Sequence, residues 1–215
     1  LCVATASSMA LEQVIELAEG HAWFQLYADQ SNGFVDELID RAIAANYKTL
    51  ILTVDVPIPS VRTRDKRNGF SFPMGWGASQ IWDFVSHPRW SLETALHAIR
   101  HQMPQPMNYA TSSQKTTFVR NASRAGADWN FLAALRDRWP GKLVVKGVQS
   151  VEDALRIKTI GADAIYVSNH GGRQLNAAPV AIDSLVEIRN AVGGGFPLIF
   201  DGGIRNGEHV LKALA

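Results

Sequence analysis

TLILTVD, Thr49 to Asp55, runs through Leu50, Ile51, Leu52 and Val54 with hardly a break in apolar character and then ends on a carboxylate. A stretch this short and this continuous is expected where both faces of a strand are covered, the situation of a parallel sheet. Comparable runs are LCVAT from Leu1, AWFQLY from Ala22, LVVKG from Leu143, AIYVSN from Ala164 and PLIFDGG from Pro197. Between them lie helical stretches: LEQVIELAE, VDELIDRAIAAN, NFLAALRDRW, VEDALRIKTIG and VAIDSLVEIRNAV. Leu11, Val14, Ile15 and Leu17 recur at helical spacing, as do Leu38, Ile39 and Ile43, which gives each helix one face to lay on the sheet. Ser150 opens Ser-Val-Glu-Asp, a capping box ahead of a helix.

This alternation is the pattern of an α/β protein built from βα units. Six strands suit either an open doubly wound sheet or most of a (β/α)8 TIM barrel, and counting does not choose between them. The polar residues do. Nearly every strand ends in a hydrogen-bonding or reactive group: Gln25 and Tyr27, Thr53 and Asp55, Lys146, Ser168 and His170, Asp201. A barrel collects its chemistry at the carboxyl ends of all its strands, whereas an open sheet uses one crevice. An incomplete barrel is therefore the expected fold.

The 215 residues are 47% hydrophobic and 19% charged, enough for one large core and a single domain over 1–215. Basic and acidic side chains, 21 and 20, are interspersed for a net charge of +1, which argues against a nucleic-acid partner and for a small molecule. The lone Cys2 excludes an internal disulfide framework, fits a reducing compartment, and reads as an apolar filler rather than a nucleophile. No apolar run reaches the ~18 residues of a spanning helix, and no charged-then-apolar leader precedes Leu1. LCVATASS reads as a strand already under way and HVLKALA as a helix still running, so a partial sequence of a longer protein is expected.

One stretch breaks the rhythm. From Phe70 to about Asn130 the chain carries Pro73, Gly75, Gly77, Pro88, Pro104 and Pro106, with WSLETALHAIRH as its one convincing helix. Residues 71–130 thus read as an inserted irregular loop or lid. SFPMGWGASQIWDFVSHPRW adds three tryptophans and two phenylalanines with few charges. Such an aromatic surface folds back onto the barrel, covers a subunit contact, or meets a membrane interface, where tryptophan is at home.

SNHGGRQL, Ser168 to Leu175, would form the loop leaving a barrel strand. A lone histidine is more often structural, but at a site mouth with a carboxylate to orient it His170 becomes a general base, and Asp55 is the candidate partner. Gly171 and Gly172 let the backbone turn tightly beside a ligand. Arg173 can grip a carboxylate with two parallel hydrogen bonds, and Arg62, in PSVRTRD, is a second guanidinium within reach of the same strand ends. Arg62 and Arg64 read equally well as a solvated loop. Lys146, after three apolar residues, is partly desolvated: either a Schiff-base former or the counter-charge to an anion. DGGIRNG offers the backbone N–H groups of Gly202 and Gly203 together with Arg205 at a late strand end, where barrels often hold phosphate.

WFQLY, LTVDVPIPSVRTRDKRNGF, LVVKGV, SNHGGRQL and DGGIRNG, in this order and spacing, resemble the FMN-dependent 2-hydroxy-acid dehydrogenases and oxidases, the group of glycolate oxidase, L-lactate dehydrogenase and mandelate dehydrogenase. The resemblance covers almost the whole chain. HPRWSL, QMP and LRDRWP look most like the membrane-associated mandelate dehydrogenase branch. The resemblance implies oxidation of a small L-2-hydroxy acid to the 2-keto acid with FMN. His170, assisted by Asp55, would remove a proton; Arg173 and Arg62 would bind the substrate carboxylate; Tyr27 would hydrogen-bond the substrate. Lys146 would sit at the flavin N1/O2 edge, Gln25, Thr53 and Ser168 would hydrogen-bond the flavin, and Asp201, Gly202, Gly203 and Arg205 would hold its phosphate side.

The resemblance also makes these strands two through seven of eight, leaving the barrel unclosed with two exposed edges, a span expected to bind FMN weakly by itself. Ala4 stands where many members have serine, and Ala4 with Ala6 suggests a roomy pocket wall suited to lactate or mandelate. Quinone and oxygen are both open as electron acceptor, the aromatic segment pointing to a membrane quinone. Contact with a membrane is expected through residues 71–90, on the inner face of the cell membrane in an otherwise cytoplasmic protein, and the full-length protein is expected to be a homo-oligomer. Two alternatives remain: an FMN- or phosphate-binding barrel isomerase, and an inactive fragment whose motifs are idle.

Overall fold

A computed structural model of the protein describes residues 1–28, 32–60, 62–70, 75, 77–101, 104–114, 118–119 and 124–215. These residues form two compact units, Leu1–Val61 with Pro106–Ala215, and Arg62–Gln105. The first unit holds six parallel strands in sequential order: β1 (Cys2–Ala4), β2 (Trp23–Tyr27), β3 (Thr49–Thr53), β4 (Lys142–Val148), β5 (Ala164–Val167) and β6 (Leu198–Phe200). Each coincides with one of the six apolar runs. Helices α1 (Leu11–Leu17) and α2 (Asn32–Ala44) connect the first three strands. Later come α7 (Trp129–Arg138), α8 (Val151–Ile160), α9 (Ala181–Val192) and α10 (Gly207–Leu214).

Alternation along the strands sorts side chains into two layers. Phe24, Leu26, Leu50, Leu52, Leu143, Val145, Ile165 and Val167 face the helices and pack with Leu38, Ile39, Leu132, Leu135, Ile157 and Ile188. Ile51, Val144 and Ala164 face the other way, forming a small inner cluster with Tyr166 and Ile199. The parallel register sets Tyr27 beside Thr53, Thr53 beside Lys146, and Lys146 beside Tyr166. A row of polar side chains therefore stands at the carboxyl ends on the inner face. Ser150 caps α8 as expected, its Oγ accepting from Asp153 N at 3.3 Å.

Two readings change. The second unit carries α3 (Thr63–Arg67), and the inserted segment after it is more helical than its prolines and glycines suggest, with α4 (Ala78–Ser86) and α5 (Pro88–His101) in the second unit and α6 (Met107–Ala110) in the first. Pro88 begins α5, a position where its missing N–H costs nothing. Of the segment 71–90, residues 71–74 and 76 lie outside the described residues. Cys2 is exposed on β1 rather than filling the core.

Asn108, in α6, is fully buried and went unremarked in the sequence. Its Oδ1 accepts from Leu11 N at 2.9 Å, supplying the cap that Ala10 cannot, and its Nδ2 donates to Thr5 O at 3.2 Å. Asn108→Ala is expected to cost about 1–3 kcal/mol by leaving these backbone groups without partners, read as a lower midpoint in urea unfolding.

Candidate active site

Gln25, Tyr27, Thr53, Lys146, His170, Gly171, Arg173, Asp201 and Gly202 line one open cavity of about 420 Å³ at the carboxyl ends of the strands. Nine residues from five separate strand ends meet there because the register aligns the strands and each chain segment turns away just beyond its last ladder bond. The centre of the constellation is a close contact: His170 Nδ1 lies 2.9 Å from Asp55 Oδ1. With the Nδ1 proton held by the carboxylate, the Nε2 lone pair is left to act as a base.

Local backbone geometry sets that pair. His170, Gly171 and Gly172 all adopt left-handed φ, at 57°, 66° and 68°, a conformation that turns the chain back over the strand end. Asn169 clamps the turn, its Oδ1 accepting from Gly172 N at 3.1 Å and its Nδ2 donating to Pro179 O at 3.3 Å. Below it Ser168, fully buried, accepts from His170 N at 3.0 Å and from Lys146 Nζ at 2.8 Å. On the opposite side β4 bulges at Gly147, between the paired residues Lys146 and Val148. Gly147 has φ 99°, and a Cβ there would stand 2.5 Å from Asp55 Cβ. Only a glycine lets the Asp55 carboxylate approach this closely.

Lys146 is 15% exposed and Asp55 10%, so their charges feel each other more strongly than surface charges do. The ammonium lies 3.8 Å from Asp55 Oδ2 and 3.6 Å from Asp201 Oδ2, with the Tyr166 ring centroid 5.2 Å away. Only its contact with Ser168 is hydrogen-bond short, so two of its three N–H groups can turn to an acceptor entering the cavity. Burial, with the Asp201 carboxylate facing the phenol, pushes Tyr166 up to about 12, which keeps it neutral under the ammonium. Gln25 Nε2 donates to Thr53 Oγ1 at 2.9 Å.

The remaining expected residues are spread more widely. Ser168 acts from beneath the cavity, and Gly203 and Arg205 are exposed beyond β6, Arg205 N donating to His209 Nδ1 at 3.3 Å. Gly202 and Gly203 have positive φ, 111° and 76°. Arg62 begins the second unit, preceding α3. The sequence reading missed Gly147, Asn169 and Tyr166. A glycine inside a strand run is a signal for a bulge, so Gly147 was findable; Asn169 and Tyr166 carry no pattern of their own.

The donor set fits FMN. An isoalloxazine ring presents carbonyl and ring-nitrogen acceptors, which Gln25, Thr53 and Lys146 could satisfy. A ribityl chain presents hydroxyl groups, for which the buried Asp201 Oδ1, without a hydrogen-bond partner, is an acceptor.

Sequential parallel strands with a histidine–carboxylate pair and a lysine at their carboxyl ends are the arrangement of a (β/α)8 barrel that is incomplete over these residues. The whole chain, residues 1–215, matches the family described as FMN-dependent dehydrogenase, and the protein belongs to it. (S)-Mandelate dehydrogenase of Pseudomonas putida is 39% identical over 218 residues, which cover 99% of this chain and 54% of that protein. L-Lactate dehydrogenase of Chromohalobacter salexigens is 35% identical over 217 residues, 99% of this chain and 55% of that protein. A crystal structure of the monotopic membrane protein (S)-mandelate dehydrogenase matches with a TM-score of 0.85 and 38% identity, covering 100% of this chain and 57% of that one. Mandelate oxidase matches with a TM-score of 0.73 and 34% identity, covering 99% and 52%. The chain thus spans about half the length of the curated relatives it matches.

Gly147→Ala is expected to push Asp55 away from His170. The downfield proton resonance of His170 Nδ1–H should then be lost, and overpacking should cost about 1–3 kcal/mol in thermal or urea unfolding.

Proposed function

We propose that the whole protein oxidises a small 2-hydroxy acid to the corresponding 2-keto acid. The observation that carries this reading is the 2.9 Å contact of His170 with Asp55 at the mouth of a cavity that Lys146 and Arg173 also line. FMN, when bound, would supply the acceptor for the two electrons and for one of the two protons the substrate loses. His170 Nε2 takes the substrate proton, and Asp55 stabilises the imidazolium that results. Arg173 binds the substrate carboxylate, with Arg62 the second guanidinium for it, and Tyr27 hydrogen-bonds the substrate. Lys146 provides positive charge where negative charge gathers in the ring; Gln25, Thr53 and Ser168 hold the ring's polar edge; Asp201, Gly202, Gly203 and Arg205 hold the phosphate side. The relatives named for mandelate and lactate make those two acids the first substrates to try.

Anaerobic addition of a panel of 2-hydroxy acids to the full-length protein is expected to bleach the flavin absorbance. His170→Asn, which tolerates the same backbone twist, should keep the flavin and slow bleaching by ~10²–10⁴-fold, the usual contribution of a positioned base. Flavin that no 2-hydroxy acid bleaches would favour a barrel isomerase, and absence of flavin an inactive protein.

The second unit supports peripheral membrane contact. Ile81, Trp82, Val85, Trp90, Leu92, Leu96 and Ile99 on α4 and α5 are exposed. Arg62, Arg64, Lys66, Arg67, Arg89 and Arg100 outnumber Asp65, Asp83 and Glu93 across residues 62–105. Exposed tryptophan with surplus cation suits an anionic bilayer surface. Among the described residues no helix is long and apolar enough to cross a membrane, and one structural relative is named a monotopic membrane protein. Such a location favours a membrane quinone over oxygen as the final acceptor. In co-sedimentation with anionic liposomes the full-length protein is expected to pellet, and Trp82→Ser with Trp90→Ser to leave most of it in the supernatant; equal pelleting of both would reject the contact.

A further inference from the structure

Arg124 belongs to none of the groups above, yet it is buried, only 6% exposed, in the first unit. A guanidinium withdrawn from water needs something in the water's place. Among the described residues no carboxylate pairs with it. Its Nη2 donates to Val119 O at 3.0 Å, and its Cζ lies over two rings, 6.0 Å from the centroid of Tyr27 and 5.9 Å from that of Phe118. Phe118 meets Tyr109 edge to face, with centroids 5.4 Å apart, and packs against the core. The main chain is fixed as well: Arg124 N donates to Val56 O at 3.0 Å, past the end of β3, and Gly126 N to Ala28 O at 3.2 Å, past the end of β2. The cation is thus tied to the two strand ends that carry Tyr27 and Asp55.

Tyr27 lines the active-site cavity and Arg124 does not. The face of an aromatic ring is the negative part of its quadrupole, so a buried cation above it is attracted more strongly than one in water. The attraction acts on the ring in return: it opposes rotation of the phenol away from the cation, and the positive field makes the hydroxyl a stronger donor to an anion. We propose that Arg124 is a positioning residue for Tyr27: without touching the substrate, its buried guanidinium holds the tyrosine ring at the cavity wall and strengthens its hydrogen bond to an anionic substrate. This inference rests on the reading that Tyr27 bonds the substrate, and the two can fail separately.

The test is a double-mutant cycle in the full-length, flavin-loaded protein, with Arg124→Met made beside Tyr27 and beside Tyr27→Phe. Two quantities are read: the dissociation constant of oxalate, a small carboxylate that needs no turnover, from the change in flavin absorbance, and kcat/KM for a 2-hydroxy acid. With Tyr27 present, Arg124→Met is expected to weaken both by about 2- to 30-fold, the span to which cation–aromatic energies convert. Beside Tyr27→Phe, which lacks the hydroxyl, the same change is expected to cost less than about twofold, since coupled residues are not additive. An equal loss in both backgrounds, or no loss in either, would overturn the proposal. Arg124→Lys, which keeps the charge but not the flat face that stacks on a ring, replaces Arg124→Met in the cycle if the methionine variant does not retain flavin; loss of flavin from both makes Arg124 structural and also overturns it. If Tyr27→Phe by itself changes neither quantity, the reading of Tyr27 is what fails. If the unaltered protein oxidises no 2-hydroxy acid, the functional reading fails while the cycle in oxalate binding still decides the role of Arg124.

Discussion

A parallel ladder fixes neighbours residue by residue, and here that constraint does most of the assembly. Tyr27 pairs with Thr53, Thr53 with Lys146, and Lys146 with Tyr166. A slip of one residue on any strand would send its polar group into the helix-facing layer and an apolar one into the cavity. The apolar sets on the outer face, Phe24 and Leu26, Leu50 and Leu52, Leu143 and Val145, Ile165 and Val167, therefore do two jobs. They build the core, and by refusing any other register they also align the inward row that the chemistry needs.

The second requirement is charge balance at a site that water only partly reaches. Two carboxylates, Asp55 and Asp201, stand near the Lys146 ammonium, and the Arg173 guanidinium lines the same cavity. Lys146 is the hinge of this balance, hydrogen-bonded to Ser168 and close to both carboxylates. Removing either carboxylate alone would leave its partner less compensated, which usually costs more than the pair contributes. The bulge at Gly147 belongs to the same requirement, because it lets Asp55 sit near both the lysine and the histidine.

Periodicity and strand-end chemistry made the fold legible: all six strands and the helices between them lie where apolar runs and helical spacing put them. The cavity residues were legible for the same reason, since Gln25, Thr53, Lys146 and His170 occupy the last inward position or first turn of a strand. What escaped was set by contacts far apart in sequence. Asn108 looks like any loop asparagine until its bonds to Leu11 and Thr5 are seen. The helices α3, α4 and α6 were hidden by prolines and glycines that turn out to sit before them or between them.

The left-handed backbone at His170 reaches beyond the geometry of one ring. A side chain with a Cβ pays about 1–2 kcal/mol to sit there, and asparagine, aspartate and glycine pay least. Any residue tried at position 170 is therefore sorted first by its tolerance for this twist and only afterwards by its proton chemistry. Branched and bulky replacements will report on the loop's shape, and asparagine alone offers a clean view of what the imidazole adds.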